Sequence, residues 1–132
     1  MESIKEQLNE LRGMEPGWLD GEGKTISDET INRTIKIFES FYPEDLLITP
    51  YIYPTEEGGI QIEWNLMPFA PSLEIFPDSD KASWHSIQFI GKEPLSYYAD
   101  IILSSKEHLE WVKAQIWHMH QGCIKNKNEK SL

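Results

Sequence analysis

A strict alternation of apolar and polar side chains decides the fold of this chain, and it runs through residues 60–66, Ile60-Gln61-Ile62-Glu63-Trp64-Asn65-Leu66. Successive side chains of a β-strand point to opposite faces, so the pattern predicts a strand with one buried face. Just before it, residues 51–53 lie between Pro50 and Pro54, and prolines confine a strand to the edge of a sheet. A Gly-Gly pair at 58–59 predicts the turn between the two strands.

The rest of the chain predicts helices on either side of further strands. Leu73 and Ile75 indicate a third strand and residues 85–89 a fourth, marked by His85, Ile87 and Phe89. Residues 95–103 predict a fifth, and five of its side chains share one face: Leu95, Tyr97, Ala99, Ile101 and Leu103. Because side chains three or four residues apart share a helix face, three amphipathic helices are also predicted. The first covers residues 2–12, the second runs from an N-cap at Ser27 to Pro43, and the last runs from a capping box at Ser104 and Glu107 to Gly122.

This order of elements predicts an α+β fold. Two N-terminal helices precede an antiparallel meander of four to five strands, and a C-terminal helix packs on one face of the sheet. We expect a single domain over residues 1–122 and a frayed basic tail over residues 123–132.

Composition excludes several classes of protein. The chain has 132 residues, 22 acidic and 12 basic side chains, and a net charge of −10. A single cysteine, Cys123, excludes an intramolecular disulfide framework and favours a cytoplasmic location. No apolar run is long enough to span a membrane, and the acidic balance argues against binding to nucleic acid.

The negative charge is concentrated in one part of the chain. Residues 1–66 hold 14 acidic and 5 basic side chains, and residues 37–80 contain no Lys, Arg or His. Nine carboxylates occur in that cation-free segment: Glu39, Glu44, Asp45, Glu56, Glu57, Glu63, Glu74, Asp78 and Asp80. Such a segment is either a solvated face that aids solubility or a surface for a basic partner.

Two of these carboxylates are predicted to face each other. If Trp64 pairs with Leu73 across a loop of residues 67–70, Glu63 and Glu74 become direct cross-strand neighbours on the polar face. Trp84 would lie on the same face. Water, a bound cation, a basic side chain of a partner or a shared proton would each relieve the repulsion between the two carboxylates.

Other candidate motifs lack the required spacing. The segment that ends in Gly23-Lys24-Thr25 has five residues between Gly17 and Gly23, whereas a phosphate-binding loop needs four between its two glycines. Asp20 and Glu22 would also repel phosphate. His118 and His120 are two residues apart and so point to different sides of a helix, which favours surface histidines over a metal site. No metal or other cofactor is therefore expected.

Three separated motifs resemble a set of small bacterial proteins. They are residues 17–24, Gly17-Trp18-Leu19-Asp20-Gly21-Glu22-Gly23-Lys24; residues 42–46, Tyr42-Pro43-Glu44-Asp45-Leu46; and residues 53–64, Tyr53-Pro54-Thr55-Glu56-Glu57-Gly58-Gly59-Ile60-Gln61-Ile62-Glu63-Trp64. The similarity also includes residues 72–75 and 84–85. The resemblance implies no activity, cofactor or catalytic residue, but its motifs overlap the cation-free segment.

The leading functional hypothesis is a non-enzymatic acidic module that binds a basic protein, as an antitoxin, immunity-type or accessory protein does. Its candidate partner-binding residues are Trp18, Asp20, Glu22, Glu56, Glu57, Glu63, Glu74 and Trp84. The alternative is a small metal-dependent or acid/base hydrolase that uses Glu63 and Glu74. A third hypothesis is an inhibitor that mimics nucleic acid, which requires a regular row of exposed carboxylates.

Overall fold

A computed structural model of the protein describes residues 2–42 and 48–131. The described elements are three α-helices, one short 3-10 helix and five β-strands, in the order α1 (Glu2–Glu10), the 3-10 helix (Leu11–Gly13), α2 (Asp28–Phe41), β1 (Tyr51–Pro54), β2 (Ile60–Glu63), β3 (Phe69–Ile75), β4 (Lys81–Gln88), β5 (Leu95–Ile102) and α3 (Lys106–Ser131). The predicted α+β fold is confirmed. The predicted end of the second helix at Pro43 lies outside the described residues.

The five strands form one antiparallel sheet in sequence order, with β1 and β5 at its edges. The alternation of residues 60–66 appears as predicted, because Ile60, Ile62, Trp64 and Leu66 are all buried. Buried side chains of all three helices join these residues in a single core. The helices therefore cover one face of the sheet and leave the other face open.

Helix α2 begins where its cap residue predicts. The Ser27 hydroxyl accepts a hydrogen bond from the Thr30 N–H, which satisfies one of the free donors of the first turn. The Asp78 carboxylate, in the turn between β3 and β4, accepts hydrogen bonds from the hydroxyls of Ser27 and Thr30. An acid of the cation-free segment thus fixes the start of α2 against the sheet.

The β2–β3 register differs from the predicted one. Ile62 pairs with Leu73, not with Ile75, and the turn consists of Met67 and Pro68, which are joined by a cis peptide bond. The predicted four-residue loop is therefore wrong. Both registers bury the same side chains, because they differ by two residues and a strand repeats every two residues, so the alternation alone did not distinguish them.

The orientation of β4 is opposite to the predicted one. Ala82, Trp84 and Ser86 are buried on the helix side, whereas His85 and Ile87 lie on the open face. Both faces of this strand contain apolar side chains. Trp84, which is larger than Ile87 on the other face, occupies the core. Its ring lies 6.3 Å from Trp64 and 5.8 Å from Trp111, measured between centroids. The placement of Trp84 on the polar face is therefore wrong.

Helix α3 is longer than predicted and is capped by a different serine. It continues through Gly122 to Ser131, and Cys123 is buried, so the helix does not end at Gly122. Gly122 is accommodated by contact with β3, since a Cβ atom there would lie 2.8 Å from the Phe69 ring. The hydroxyl of Ser105, rather than Ser104, accepts from the His108 N–H, because Ser104 donates its hydroxyl to Asp80. Among the described residues, no helix has both the length and the apolar character needed to cross a membrane.

Candidate functional site on the open sheet face

Two rows of cross-strand partners run across the open face from β1 to β5. The first row is Tyr51, Glu63, Ser72, His85 and Tyr98. The second row is Tyr53, Gln61, Glu74, Ser83 and Asp100. We call these ten residues the open face. Directly opposed side chains in a sheet have Cβ atoms about 4.5–5.5 Å apart, so each row forms a continuous surface.

The formal charge within the two rows is negative, and the exposed Lys81, on the same face of β4, lies beside the second row. The open face contains three carboxylates, on Glu63, Glu74 and Asp100, and neither row contains Lys or Arg. Tyr51 and Tyr98, at the two ends of the first row, have 66% and 67% of their surface exposed. Exposed tyrosines beside carboxylates suit a cationic ligand, because a cation is attracted both to the face of an aromatic ring and to the acid.

Glu63 is held in place by a neighbouring tyrosine. The Tyr53 hydroxyl donates a hydrogen bond to the Glu63 carboxylate across the β1–β2 pair. Partial burial, this hydrogen bond and the negative charge of Glu63 together raise the pKa of Tyr53 to about 12. Tyr53 therefore keeps its proton at neutral pH and remains a donor to Glu63.

The middle of the first row forms a shallow depression. The His85 ring stacks on Tyr98 with centroids 4.2 Å apart, and a cavity of about 180 Å³ is lined in part by Glu63, Ser72 and His85. The Ser72 hydroxyl donates to the backbone carbonyl of His85 at 3.5 Å, and not to the imidazole ring. These three side chains therefore do not form the nucleophile–base contact of a hydrolytic triad.

Glu63 and Glu74 share the open face but are not direct neighbours. Glu63 faces Ser72 and Tyr51, whereas Glu74 faces Gln61 and Ser83. The predicted direct pairing of the two carboxylates is wrong because it depended on the wrong register. They lie on the diagonal between adjacent strands, where the repulsion is weaker.

Three of the residues that were predicted to bind a partner, Glu22, Glu56 and Glu57, lie away from the two rows, where the loop of residues 17–25 meets the β1–β2 turn. The carboxyl groups of Glu22 and Glu56 can share a hydrogen bond when one of them is protonated. The backbone N–H of Lys24 donates to the Glu56 carbonyl at 2.9 Å, so the loop of residues 17–25 contacts the β1–β2 turn. The hydrogen bond with Glu22 and its like charge raise the pKa of Glu56. Glu57 is 3.6 Å from the Lys24 ammonium, in an exposed pair that contributes little to stability.

Trp18 and Asp20 shape this loop. The indole N–H of Trp18 donates to the Lys24 carbonyl at 2.9 Å, and the ring packs so closely on Gly23 that a Cβ there would lie 2.7 Å from it. Asp20 is exposed and has a φ of 48°, the left-handed conformation that Asp tolerates better than most residues. Both residues therefore have a local structural role, whatever else they contact.

Several other acids of the cation-free segment have partners within the chain. Glu39 pairs with Lys5 at 3.3 Å, Asp78 caps α2, and Asp80 accepts from the Ser104 hydroxyl. Glu44 and Asp45 lie outside the described residues. The seven described acids are distributed over α2, the β1–β2 turn, the open face and the β3–β4 turn, so they do not form the single row that mimicry of a nucleic acid requires.

The histidines of α3 separate into one exposed and one buried side chain. His118 is exposed, whereas His120 has only 2% of its surface exposed, so the prediction of two surface histidines is wrong for His120. His120 continues the core stripe of Val112 and Ile116 at four-residue spacing, which the two-residue separation from His118 concealed. In the described parts of the chain, no three His, Cys, Asp or Glu side chains are grouped closely enough to hold a metal ion.

Eight of the ten members of the open face were not among the predicted site residues, and Tyr51, His85, Tyr98 and Asp100 are four of them. The sequence contains a signal for three of these four. Tyr51 alternates with the inward-facing Ile52 in β1. In β5, Tyr98 and Asp100 must lie on the open side if the alternate residues face the helices, and these are Leu95, Tyr97, Ala99 and Ile101. His85 had no such signal, because the orientation of β4 was ambiguous.

Comparison of the chain with models of protein families, with curated proteins and with solved structures found no match.

Proposed function

We propose that this protein is a non-enzymatic binding module whose open face docks a basic protein partner. The observation that carries the proposal is the composition of the two rows: three carboxylates and three tyrosines, with Lys81 beside the second row as the cation on the same face of β4. An antitoxin, an immunity-type protein or an accessory protein works in this way.

Arginine is the side chain of a partner that this surface suits best. Its planar guanidinium group donates two hydrogen bonds in a fork and stacks on aromatic rings. Glu63 lies opposite Tyr51 and accepts a hydrogen bond from the Tyr53 hydroxyl on the same neighbouring strand. Glu74 and Asp100 offer further acceptors in the second row. The net charge of −10 accelerates the approach of a basic protein, and this contribution is weakened by salt.

A defined peptide tests the proposal. We expect a peptide of alternating Arg and Thr to bind the wild-type protein in a calorimetric titration at low salt, and a peptide with Glu in place of Arg not to bind. The double substitution Glu63→Gln and Glu74→Gln keeps the side-chain shapes and removes two charges, so it weakens binding about tenfold.

The matched control is Glu6→Gln with Glu10→Gln. It removes the same charge from exposed positions of α1 and leaves the open face intact. Equal weakening by both double variants would mean that net charge alone attracts the peptide, and this result would contradict a docking role for the open face.

The hydrolase alternative has weaker support. Glu63 and Glu74 each face uncharged side chains across the strands, and the Ser72 hydroxyl is directed to a backbone carbonyl. Hydrolysis by this arrangement would need a nucleophile that the open face does not position.

A further inference from the structure

The two edges of the sheet differ in how their backbone donors are satisfied. On β1, Gln7 of α1 covers the edge, since its side chain accepts from the Ile52 N–H and donates to the Pro50 carbonyl, each at 3.0 Å. Pro50 and Pro54 have no N–H to offer. The β1 edge is thus closed to a further strand, by two of the devices that prevent edge-to-edge association.

The β5 edge has a short free segment with defined ends. Leu103 donates its N–H to Asp80, and backbone groups alternate in direction along a strand, so Ser96, Tyr98, Asp100 and Ile102 direct theirs away from β4. The Ile102 N–H donates to Nδ1 of His108 at 2.8 Å. At the other end, Pro94 has no N–H. The free N–H donors of this edge therefore belong to Ser96, Tyr98 and Asp100, a set that is symmetric about Tyr98.

We propose that a second copy of this chain pairs with β5, antiparallel, about a twofold axis at Tyr98. In this register Tyr98 faces Tyr98 of the second copy, and Ser96 faces Asp100 of the second copy. The free N–H and C=O groups of these residues are then satisfied in both copies. A register shifted toward the C-terminal end of β5 would need the Ile102 N–H as a donor, but this N–H already donates to His108.

The charge of the edge favours a second copy over a basic partner. Asp100 is the one charged side chain in β5, and the symmetric register places it opposite a serine hydroxyl rather than opposite another carboxylate. Two chains that each carry −10 would repel at most other surfaces, but at this edge the repulsion is small. A basic partner would find a single carboxylate here.

The apolar side chains beside the edge also fit a second copy. Leu95 and Tyr97 point to the helix side yet remain 61% and 56% exposed, although the Tyr97 ring approaches Trp111 of α3, with centroids 6.0 Å apart. A cavity of about 320 Å³ between β5 and α3 is lined in part by Ala99, Ile101 and Trp111. In the symmetric register Leu95 of the second copy faces Ile101, so it enters this cavity, and the same contact repeats across the axis.

The inference goes beyond the proposed function: Tyr98 and Asp100 belong to the open face as well, but peptide binding and self-association are separate measurements. Sedimentation velocity over a range of protein concentrations tests it. We expect the wild-type protein to approach twice the monomer mass of 15.4 kDa. Leu95→Lys and Tyr98→Pro should each raise the dimer dissociation constant about tenfold or more, the first by charge in an apolar contact and the second by removal of an edge donor. A wild-type protein that stays monomeric overturns the proposal.

Leu19→Lys is the matched control. It introduces the same charge at another exposed leucine, in the loop of residues 17–25, and should leave the dissociation constant unchanged. Leu95→Lys keeps the test valid if Tyr98→Pro disturbs folding, since Leu95 is exposed in the monomer.

Hydrogen exchange separates this dimer from any other. The amides of Ser96, Tyr98 and Asp100 should exchange more slowly at concentrations that favour the dimer than at high dilution. A dimer in which these three amides exchange at the same rate at both concentrations would associate through another surface and would overturn the proposal.

Discussion

Gly59 shows how closely two strands approach at the beginning of β2. Its N–H donates to the Thr55 hydroxyl at 2.8 Å, and a Cβ atom at this position would overlap the backbone carbonyl oxygen of Ile75. Backbone atoms in a sheet cannot move aside as a flexible side chain can. The turn and the first β2–β3 pair therefore depend on the absence of a side chain here.

We expect Gly59→Ala to lower the free energy of unfolding by about 1–3 kcal/mol, as overpacking does elsewhere. Urea denaturation followed by tryptophan fluorescence measures this change. Gly13→Ala is the control, because nothing lies within 4 Å of the added methyl group, and it should change stability by less than about 0.5 kcal/mol. Equal effects of the two substitutions would contradict the close approach at Gly59.

The Glu22–Glu56 contact is expected to make stability depend on pH. The pKa of Glu56 is raised above its ordinary value of 4.5, which means that the folded state holds the proton more tightly than the unfolded state does. The free energy of unfolding should therefore fall as the pH rises through the interval above 4.5, and the loss is complete at neutral pH.

Glu56→Gln should consequently raise the melting temperature at neutral pH, and the gain should disappear near about pH 4, where the wild-type acid is protonated. Circular dichroism melts at the two pH values test this. Glu57→Gln relieves a weaker repulsion with Glu56 and removes the partner of Lys24, so it should raise the melting temperature less than Glu56→Gln does. A gain for Glu56→Gln that persists unchanged at low pH would exclude carboxylate repulsion as its cause.

At the scale of elements, the sequence predicted faces better than registers and ends. The alternation of residues 60–66 identifies the buried face of β2, and the cap at Ser27 locates the start of α2, because both signals are local. The β2–β3 register could not be predicted, since a shift by two residues preserves every buried side chain. The orientation of β4 could not be predicted either, because Trp84 and Ile87 compete for the core. Consequently Glu63 and Glu74 were assigned to the correct face but to the wrong pair.

The cap of α2 is also an attachment to the sheet. We expect Ser27→Ala to lower the free energy of unfolding by about 1 kcal/mol, because the Thr30 N–H and the Asp78 carboxylate each lose a partner. Ser40→Ala, at an exposed position late in the same helix, should be close to neutral. Thermal or chemical denaturation distinguishes the two, and a neutral Ser27→Ala would contradict the role of the cap.

For the whole molecule, the fold divides the negative charge into acids that have a structural partner and acids that face solvent on the sheet. Asp78, Asp80 and Glu39 contact other parts of the chain, whereas Glu74 and Asp100 lie in a row of polar side chains. Net charge alone, as read from the composition, could not make this distinction. The division of the acids by the fold is the reason for proposing the partner surface on the open face rather than over the whole cation-free segment.

The most direct test of a docking role for the open face is an NMR titration of the isotope-labelled protein with the peptide of alternating Arg and Thr at low salt. We predict that the largest amide shift changes occur at Glu63, Ser72, Glu74 and His85, and that they decrease when salt is added. Shift changes confined to residues 20–24 and 56–57, or none at low salt, would contradict this account.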